Sequence, residues 1–334
     1  MRTYEIGVMA LGMAGMEHVK AFGKNPRTRV KAACTRNAEL LTAVCRQYEI
    51  PKACGSFEEL LDAGIDVLVI ATPDHLHADY AVAALERGLH ILCEKPLVTE
   101  LEDARRVVAA ARRAGTVFMT GQCARFFPRS QFAHGLVQRG ELGRLFFAEA
   151  DYLHNLSDFL RGWRIDPSAP QNIVLGGGCH PLDLLRWLMG DVEEVHAVAN
   201  KLVFPPDNPI EHDCALLNLR FHSGAIGKCL VSVGCSRPYS LGLSLYGEEG
   251  TLEDEKLFLG RYEGLEDFMP VPLSPHLHGD RGIFDDQAQH LVECLDAGSR
   301  PIADVVEGAK TVATCLAGAQ SIAGGQPVRV CNDF

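Results

Sequence analysis

Within the first 120 residues, five short and almost continuously apolar runs alternate with helix-patterned stretches. The runs are YEIGVMA, RVKAACT, IDVLVIAT, LHILCEK and TVFMTGQ. Strands that are apolar on both faces belong in a parallel sheet with helices covering each side. The stretches 13–25, 37–48, 75–87 and 99–114 carry the helical pattern, and Pro51, Gly88 and Gly115 stop three of them. Strand–helix units repeated at this spacing predict an α/β fold with a doubly wound parallel sheet.

Beyond about residue 125 the pattern changes. LFFAEADYLH, VEEVHAVANKLV, CALLNLRFHS, AIGKCLVSVGC and YSLGLSLYG are longer strands joined by turn-like pieces. They predict a second, α+β domain with a large open, meandering and mainly antiparallel sheet. Two helices near 283–297 and 304–323 end the chain. The expected division is 1–124 and 125–334, with the last helices free to pack back on the first domain.

Composition narrows the partners. A formal net charge of -11 disfavours nucleic acid and anionic membranes. No apolar run approaches the ~20 residues of a spanning helix, and the N-terminus enters a strand pattern without a signal-peptide core. The 12 cysteines contain no C-x-x-C and fall singly in apolar runs, the pattern of buried thiols in a cytoplasmic protein.

The first run leads into ALGMAG, residues 10–15. A dinucleotide turn G-x-G-x-x-G uses its first glycine for the tight turn, its second for pyrophosphate approach and its third for helix packing. Gly12 and Gly15 keep the last two tasks, and Ala10 stands at the first. Its methyl is accommodated where φ is negative. Ala10, Gly12, Met13 and Ala14 form the expected phosphate cradle. The second run ends in Cys34, Thr35, Arg36 and Asn37, with no acid for a ribose 2′-OH. Thr35 and Arg36 suit a 2′-phosphate, so the expected cofactor is NAD(P), leaning to NADP; the other reading of Arg36 is a solvated residue at a helix start.

Further along stand ATPDHLH (71–77), EKP (94–96), RGW, GGGCHPLDLLRWLMG and YGEEGTLE. Together with ALGMAGMEH, and nearly end to end, the chain resembles the glucose–fructose oxidoreductase, inositol dehydrogenase and MocA family. The resemblance implies an N-terminal Rossmann domain and a C-terminal domain with a large open sheet. It implies Lys95 beside the nicotinamide, hydrogen-bonded to the reacting oxygen, His180 as acid/base, and Asp183 helping to hold substrate. Thr72, Pro73, His77, Glu94 and Pro96 would line the cofactor cleft, and Arg125, Trp163 and Arg164 would contact substrate. Members commonly act on sugars and cyclitols, as dimers or tetramers.

The residues themselves allow this chemistry. Interconverting a secondary alcohol and a ketone needs a proton acceptor and a hydride acceptor on one carbon, which a histidine and a lysine beside a nicotinamide provide. Pro181 requires a helix to begin close to His180, and the start of that helix favours the neutral ring. Structural roles stand beside these: Lys95 as a solvated strand-end lysine, His180 as a helix cap, Asp183 as a helix-start charge, and Trp163 with Arg164 as a packed pair. A redox-neutral glycosidase and a non-catalytic cofactor sensor are the alternative functions. His75 and His77, like His276 and His278, form H-x-H pairs without a third ligand, so no metal is expected. Four residues before His180, where many sugar dehydrogenases of the family carry aspartate, stands Gly176. Asp158 or Asp166 would have to replace that carboxylate.

Overall fold

The computed structural model describes residues 2–157, 162–166, 172–273 and 282–334. The chain forms two compact units, Met1–Cys123 with Arg281–Ala309 and Phe334, and Ala124–Asp280 with Lys310–Asp333.

The first unit runs β1 (Tyr4–Met9), α1 (Met13–Lys24), β2 (Thr28–Cys34), α2 (Ala38–Gln47), β3 (Lys52–Cys54), α3 (Phe57–Leu61), β4 (Val67–Ile70), α4 (His77–Glu86), β5 (His90–Cys93), α5 (Leu101–Ala114) and β6 (Phe118–Thr120). The strands pair in parallel in the order β3-β2-β1-β4-β5-β6. Ile6, Val8, all of β4 and Ile91–Cys93 exclude solvent, as a sheet covered on both faces requires. α5 shows how the covering helices form. Ala104, Val107, Val108 and Ala111 face inward, acids open the helix, Arg112 and Arg113 close it, and Gly115 ends it at φ 64°. The strand order reverses between β1 and β4, so a crevice opens at the carboxyl ends of those strands. β3 and α3, three and five residues long, fall outside the expectation because elements that short show no period.

The second unit contains α6 (Pro128–Gln138), β7 (Leu145–Leu153), α7 (Ile173–Gly176), α8 (Cys179–Met189), β8 (Val192–Asn200), β9 (Cys214–Phe221), β10 (Ile226–Ser232), β11 (Ser240–Gly247), β12 (Gly250–Glu253), β13 (Lys256–Leu259) and β14 (Met269–Pro270). After α9 (Ile283–Ala297) and α10 (Val305–Gly324), β15 (Val328–Arg329) completes a nine-stranded sheet, order β14-β13-β12-β11-β7-β10-β9-β8-β15. Buried and part-exposed residues alternate along β9 and β11, so one face is core, and α8 packs on it across β7, β10 and β11.

The simple meander expected for this sheet is corrected at its centre. β7 pairs in parallel with β10 and antiparallel with β11. The chain leaves β7 through α7 and α8 and re-enters three places away at β8. That crossover lets β10 arrive beside β7 in the same direction. α9 belongs to the first unit. It lies against α1, with Phe284 edge-on to His18 at 4.9 Å between ring centroids, and Asp296 accepts from Tyr4 at 3.0 Å and from Arg27 at 2.9 Å.

All twelve cysteines are thiols, eight of them buried. Burial raises the Cys34 thiol to about 11. No helix among the described residues is long and apolar enough to cross a membrane.

Candidate active site

The predicted residues form two constellations, one in each unit. In the first, Ala10 follows β1 with φ 72°. The negative φ expected there is therefore corrected: the alanine holds the left-handed conformation that the first glycine of such turns normally takes. Its amide donates to Cys34 O at 2.8 Å. A methyl group on Gly15 would fall 2.0 Å from Ala10 O, whereas one on Gly12 would meet nothing within 4 Å. Gly15 thus permits close packing of α1 on the turn, and Gly12 borders open space. Gly12 starts α1 without a side-chain cap, and the first turn carries no acid. Met13 is exposed and Ala14 half-buried there. An uncapped, electropositive helix start beside open space fits a pyrophosphate.

The ends of the neighbouring strands complete this half. Thr35 is half-buried and Arg36 exposed, and Asn37 caps α2 by accepting from Leu40 N at 2.9 Å. Thr72 is buried with its Oγ1 unpartnered among the described residues, as a hydroxyl waiting for a ligand would be. Pro73 is half-buried beside it. Glu94 and Lys95 follow β5, and the Lys95–Pro96 peptide is cis. Glu94 Oε1 lies 2.8 Å from His18 Nε2, and Glu94 Oε2 accepts from Lys95 N at 3.2 Å. Burial by itself would raise the Glu94 carboxyl. The His18 hydrogen bond and the Lys95 charge outweigh it and hold the carboxyl below its ordinary value. Gly121 lets this segment pass, since a methyl there would lie 3.1 Å from Glu94 Cα.

His77, expected in the cofactor cleft, takes an interior position. Its ring is fully buried, with Nδ1 2.9 Å from Pro96 O and Nε2 2.9 Å from Thr72 O. A side chain without exposed surface has none to give a cofactor.

In the second unit, α8 begins at Cys179, so His180 stands in its first turn and is almost fully buried. The glycines before it have separate reasons. A methyl on Gly177 would lie 2.9 Å from the Tyr152 ring, and one on Gly178 2.5 Å from Val174 O, while one on Gly176 meets nothing within 4 Å. The Tyr152 ring stacks near His180 with centroids 6.2 Å apart. Tyr239 meets Tyr152 at 5.6 Å and His154 at 5.2 Å. These half-buried aromatic residues are missing from the sequence expectation. The available signal was the spacing of Tyr152 and His154, alternate residues at the end of one strand that share a face.

Arg125 and Asp183, expected at the substrate, are paired in the interior of the second unit. Both are fully buried, and Arg125 Nε and Nη2 donate to the two Asp183 oxygens at 2.7 and 2.8 Å. Thr311 Oγ1 adds a third donor to Asp183 Oδ1 at 2.8 Å. Trp163 and Arg164 occupy the short turn Gly162–Ile165, the guanidinium 4.5 Å from the indole centroid. Asp166 is exposed, and Asp158, His276 and His278 lie outside the described residues. Among the described residues no cluster of three or more His, Cys, Asp or Glu side chains is arranged to hold a metal.

Residues 4–122 match the family described as "Oxidoreductase family, NAD-binding Rossmann fold", and residues 130–253 match the GFO/IDH/MocA C-terminal domain. The chain is 28% identical over 309 residues to 1,5-anhydro-D-fructose reductase of Ensifer adhaerens, covering 90% of this chain and 91% of that protein. It is 28% identical over 274 residues to inositol 2-dehydrogenase 2 of Saccharopolyspora erythraea, covering 79% and 77%. The structure of levoglucosan dehydrogenase with NADH and levoglucosan superposes with a TM-score of 0.90 at 23% identity, over 99% of this chain and 100% of that one. The two family matches together span most of the chain, which belongs to the Gfo/Idh/MocA family of NAD-binding oxidoreductases.

Proposed function

We propose that this protein interconverts a secondary alcohol and a ketone on a sugar, cyclitol or sugar derivative by hydride transfer with NAD(P). The observation that carries the reading is the crevice end of the first unit. The open helix start at Gly12, the Thr72 hydroxyl, unpartnered among the described residues, and Lys95 stand at the carboxyl ends of β1, β4 and β5. Ala10 to Ala14 hold the pyrophosphate in this proposal, and Thr72, Pro73 and the Glu94–Pro96 segment border the nicotinamide. Thr35 and Arg36 take the adenosine ribose, with Arg36 pairing a 2′-phosphate. The bound nicotinamide supplies the hydride acceptor for oxidation and the donor for reduction.

The Lys95 ammonium donates to the reacting oxygen and stabilises its alkoxide character. His180 accepts the hydroxyl proton in oxidation and returns it in reduction. Tyr152, His154 and Tyr239 give the His180 neighbourhood an aromatic wall on which the C–H face of a sugar ring can rest. The substrate class is supported by relatives named as reductases and dehydrogenases of anhydrofructose and inositol. Exposed Val198 and Ile226, on the face of β8 and β10 opposite the core, favour a homodimer or homotetramer. A solution mass of one chain tells against that last point.

A screen of sugars and polyols with NAD and NADP, read by absorbance of the reduced nicotinamide, tests the activity. His180→Ala is expected to cut turnover by ~100-fold or more with cofactor binding intact. Undiminished turnover overturns the role of His180.

A further inference from the structure

We infer that His77 is a positioning residue: its doubly protonated ring is a strut that ties the Thr72 carbonyl to the Pro96 carbonyl and fixes the backbone on which Lys95 stands. Hydrogen-bond valence sets the charge of the ring. Both ring nitrogens lie 2.9 Å from carbonyl oxygens, Nδ1 from Pro96 and Nε2 from Thr72. A carbonyl only accepts, so each nitrogen must donate. Neutral imidazole has one N–H, and would aim its bare lone pair at the other oxygen inside a site closed to water. Only imidazolium carries two.

The groups facing the ring agree. Burial opposes the charge, but the Cys93 thiol on β5, Asp74 in the turn before α4 and the Pro96 carbonyl outweigh it and push the ring up to about 10. The strut joins the loop after β4 to the loop after β5. Lys95 lies between two fastened neighbours: Glu94 is held by His18 at 2.8 Å and Pro96 by His77 at 2.9 Å. The importance assigned to Lys95 rests on the proposed oxidoreductase activity, whereas the charge state of the ring does not.

Two measurements on the full-length protein test this. The first is heteronuclear NMR with labelled histidine ring nitrogens, His77 being assigned by difference from His77→Gln. Both His77 nitrogens are expected in the protonated range throughout neutral pH. A ring with one bare nitrogen overturns the strut. Should the glutamine variant fail to fold, a neutron structure of the wild type reads both deuterons directly, with the same two outcomes.

The second is kinetic. His77→Gln, whose amide carries two N–H bonds, is expected to keep kcat within a few-fold, and His77→Leu to lose ~10–100-fold. The dinucleotide Kd should stay near wild type in both, at a temperature where both are folded. Wild-type kcat in His77→Leu overturns the positioning role. Absent turnover in the wild type itself tells against the oxidoreductase reading alone, because the ring spectra decide the strut independently. The Tm deficit of His77→Leu should be largest below about pH 6.5 and shrink as the pH rises towards about 10, since a raised pKa stabilises the fold only while the ring keeps its proton.

Discussion

Arg125 and Asp183, 58 residues apart, grip each other through two hydrogen bonds of 2.7 and 2.8 Å, with no surface left to solvent. Asp183 sits three residues beyond His180 on α8, and Thr311 of α10 donates to the same carboxylate. Arg186, one turn further along α8, donates to Thr311 Oγ1 at 2.9 Å and to Asp191, which Lys310 also binds. The helix carrying His180 is therefore pinned by a buried polar network, and the conformation of its first turn depends on that network. Removing one partner strands a buried charge. Asp183→Asn or Arg125→Ala should cost about 3–5 kcal/mol of unfolding free energy, while Arg125→Met combined with Asp183→Leu should cost less than either. Urea unfolding with matched m-values checks this, and a double variant weaker than both singles contradicts it.

The glycine turn separates stability from cofactor binding. Ala10 keeps φ 72° with a Cβ, at an intrinsic cost of roughly 1–2 kcal/mol. Ala10→Gly relieves it but gives the unfolded chain more freedom, so the expected net gain is about 1 kcal/mol. Gly12→Ala adds a methyl to open space at an ordinary φ of -72°. It should leave the apo fold untouched and weaken dinucleotide binding. Gly15→Ala places its methyl 2.0 Å from Ala10 O, so it should damage both. Thermal unfolding and cofactor titration of the three variants read the two properties apart; a Gly12→Ala protein that binds as well as wild type removes that position from the phosphate cradle.

Glu94 supplies the pH prediction. Its carboxyl is held below the ordinary value against burial, chiefly by His18. A depressed carboxyl stabilises the fold above its unfolded pKa, about 4.3, and that contribution fades as acid protonates the folded form. The stability gap between wild type and Glu94→Gln should thus be flat near neutrality and close on descending below about pH 4. A gap that stays constant through that range assigns the His18–Glu94 contact no electrostatic share.

Arg36 decides between the two dinucleotides. It is exposed at the end of β2, where no acid competes for the ribose. A guanidinium that pairs with a 2′-phosphate adds a charge-assisted hydrogen bond worth about 1.5–3 kcal/mol. Arg36→Gln should therefore weaken NADPH by ~10–100-fold and leave NADH nearly unchanged. Equal losses for both cofactors, or an NADH preference in the wild type, removes the NADP reading.

What could be read from the chain follows the length scale of each signal. The crevice was legible because β1, β4 and β5 are buried on both faces and because each glycine of the turn has a local duty. The short elements were harder, although Ser56–Phe57–Glu58–Glu59 carries a capping-box spacing, and Ser56 Oγ does accept from Glu59 N at 3.2 Å. α6 was missed despite Pro128 at its first position. The partners of Arg125, Asp183 and His77 were beyond reach for another reason. Residue type marks all three as polar and available for chemistry, and only the tertiary fold shows their donors and acceptors already spent on one another or on backbone. The parallel β7–β10 pairing likewise depends on a crossover that no strand pattern records.

Gly176 offers the sharpest test of how the chemistry near His180 is built. It lies four residues before His180, at the end of α7, and a Cβ there meets no atom of the described residues within 4 Å. The two glycines that follow differ in kind: Gly177 is hemmed by Tyr152 and Gly178 by Val174 O. Gly176→Asp should accordingly fold with stability within about 1 kcal/mol of wild type, because helical glycine is itself unfavourable. Gly177→Asp should lose stability by driving its side chain into the Tyr152 ring. With the fold kept, Gly176→Asp places a carboxylate four residues before His180, at the end of the preceding helix. If that carboxylate orients the ring, the limb of the pH–rate profile that His180 sets should move to higher pH, the acidic limb in oxidation and the basic limb in reduction, as a nearby negative charge favours the protonated histidine. An unmoved profile together with unchanged kcat means that His180 in this chain is already oriented by other groups, with Tyr152 the first to examine by Tyr152→Leu.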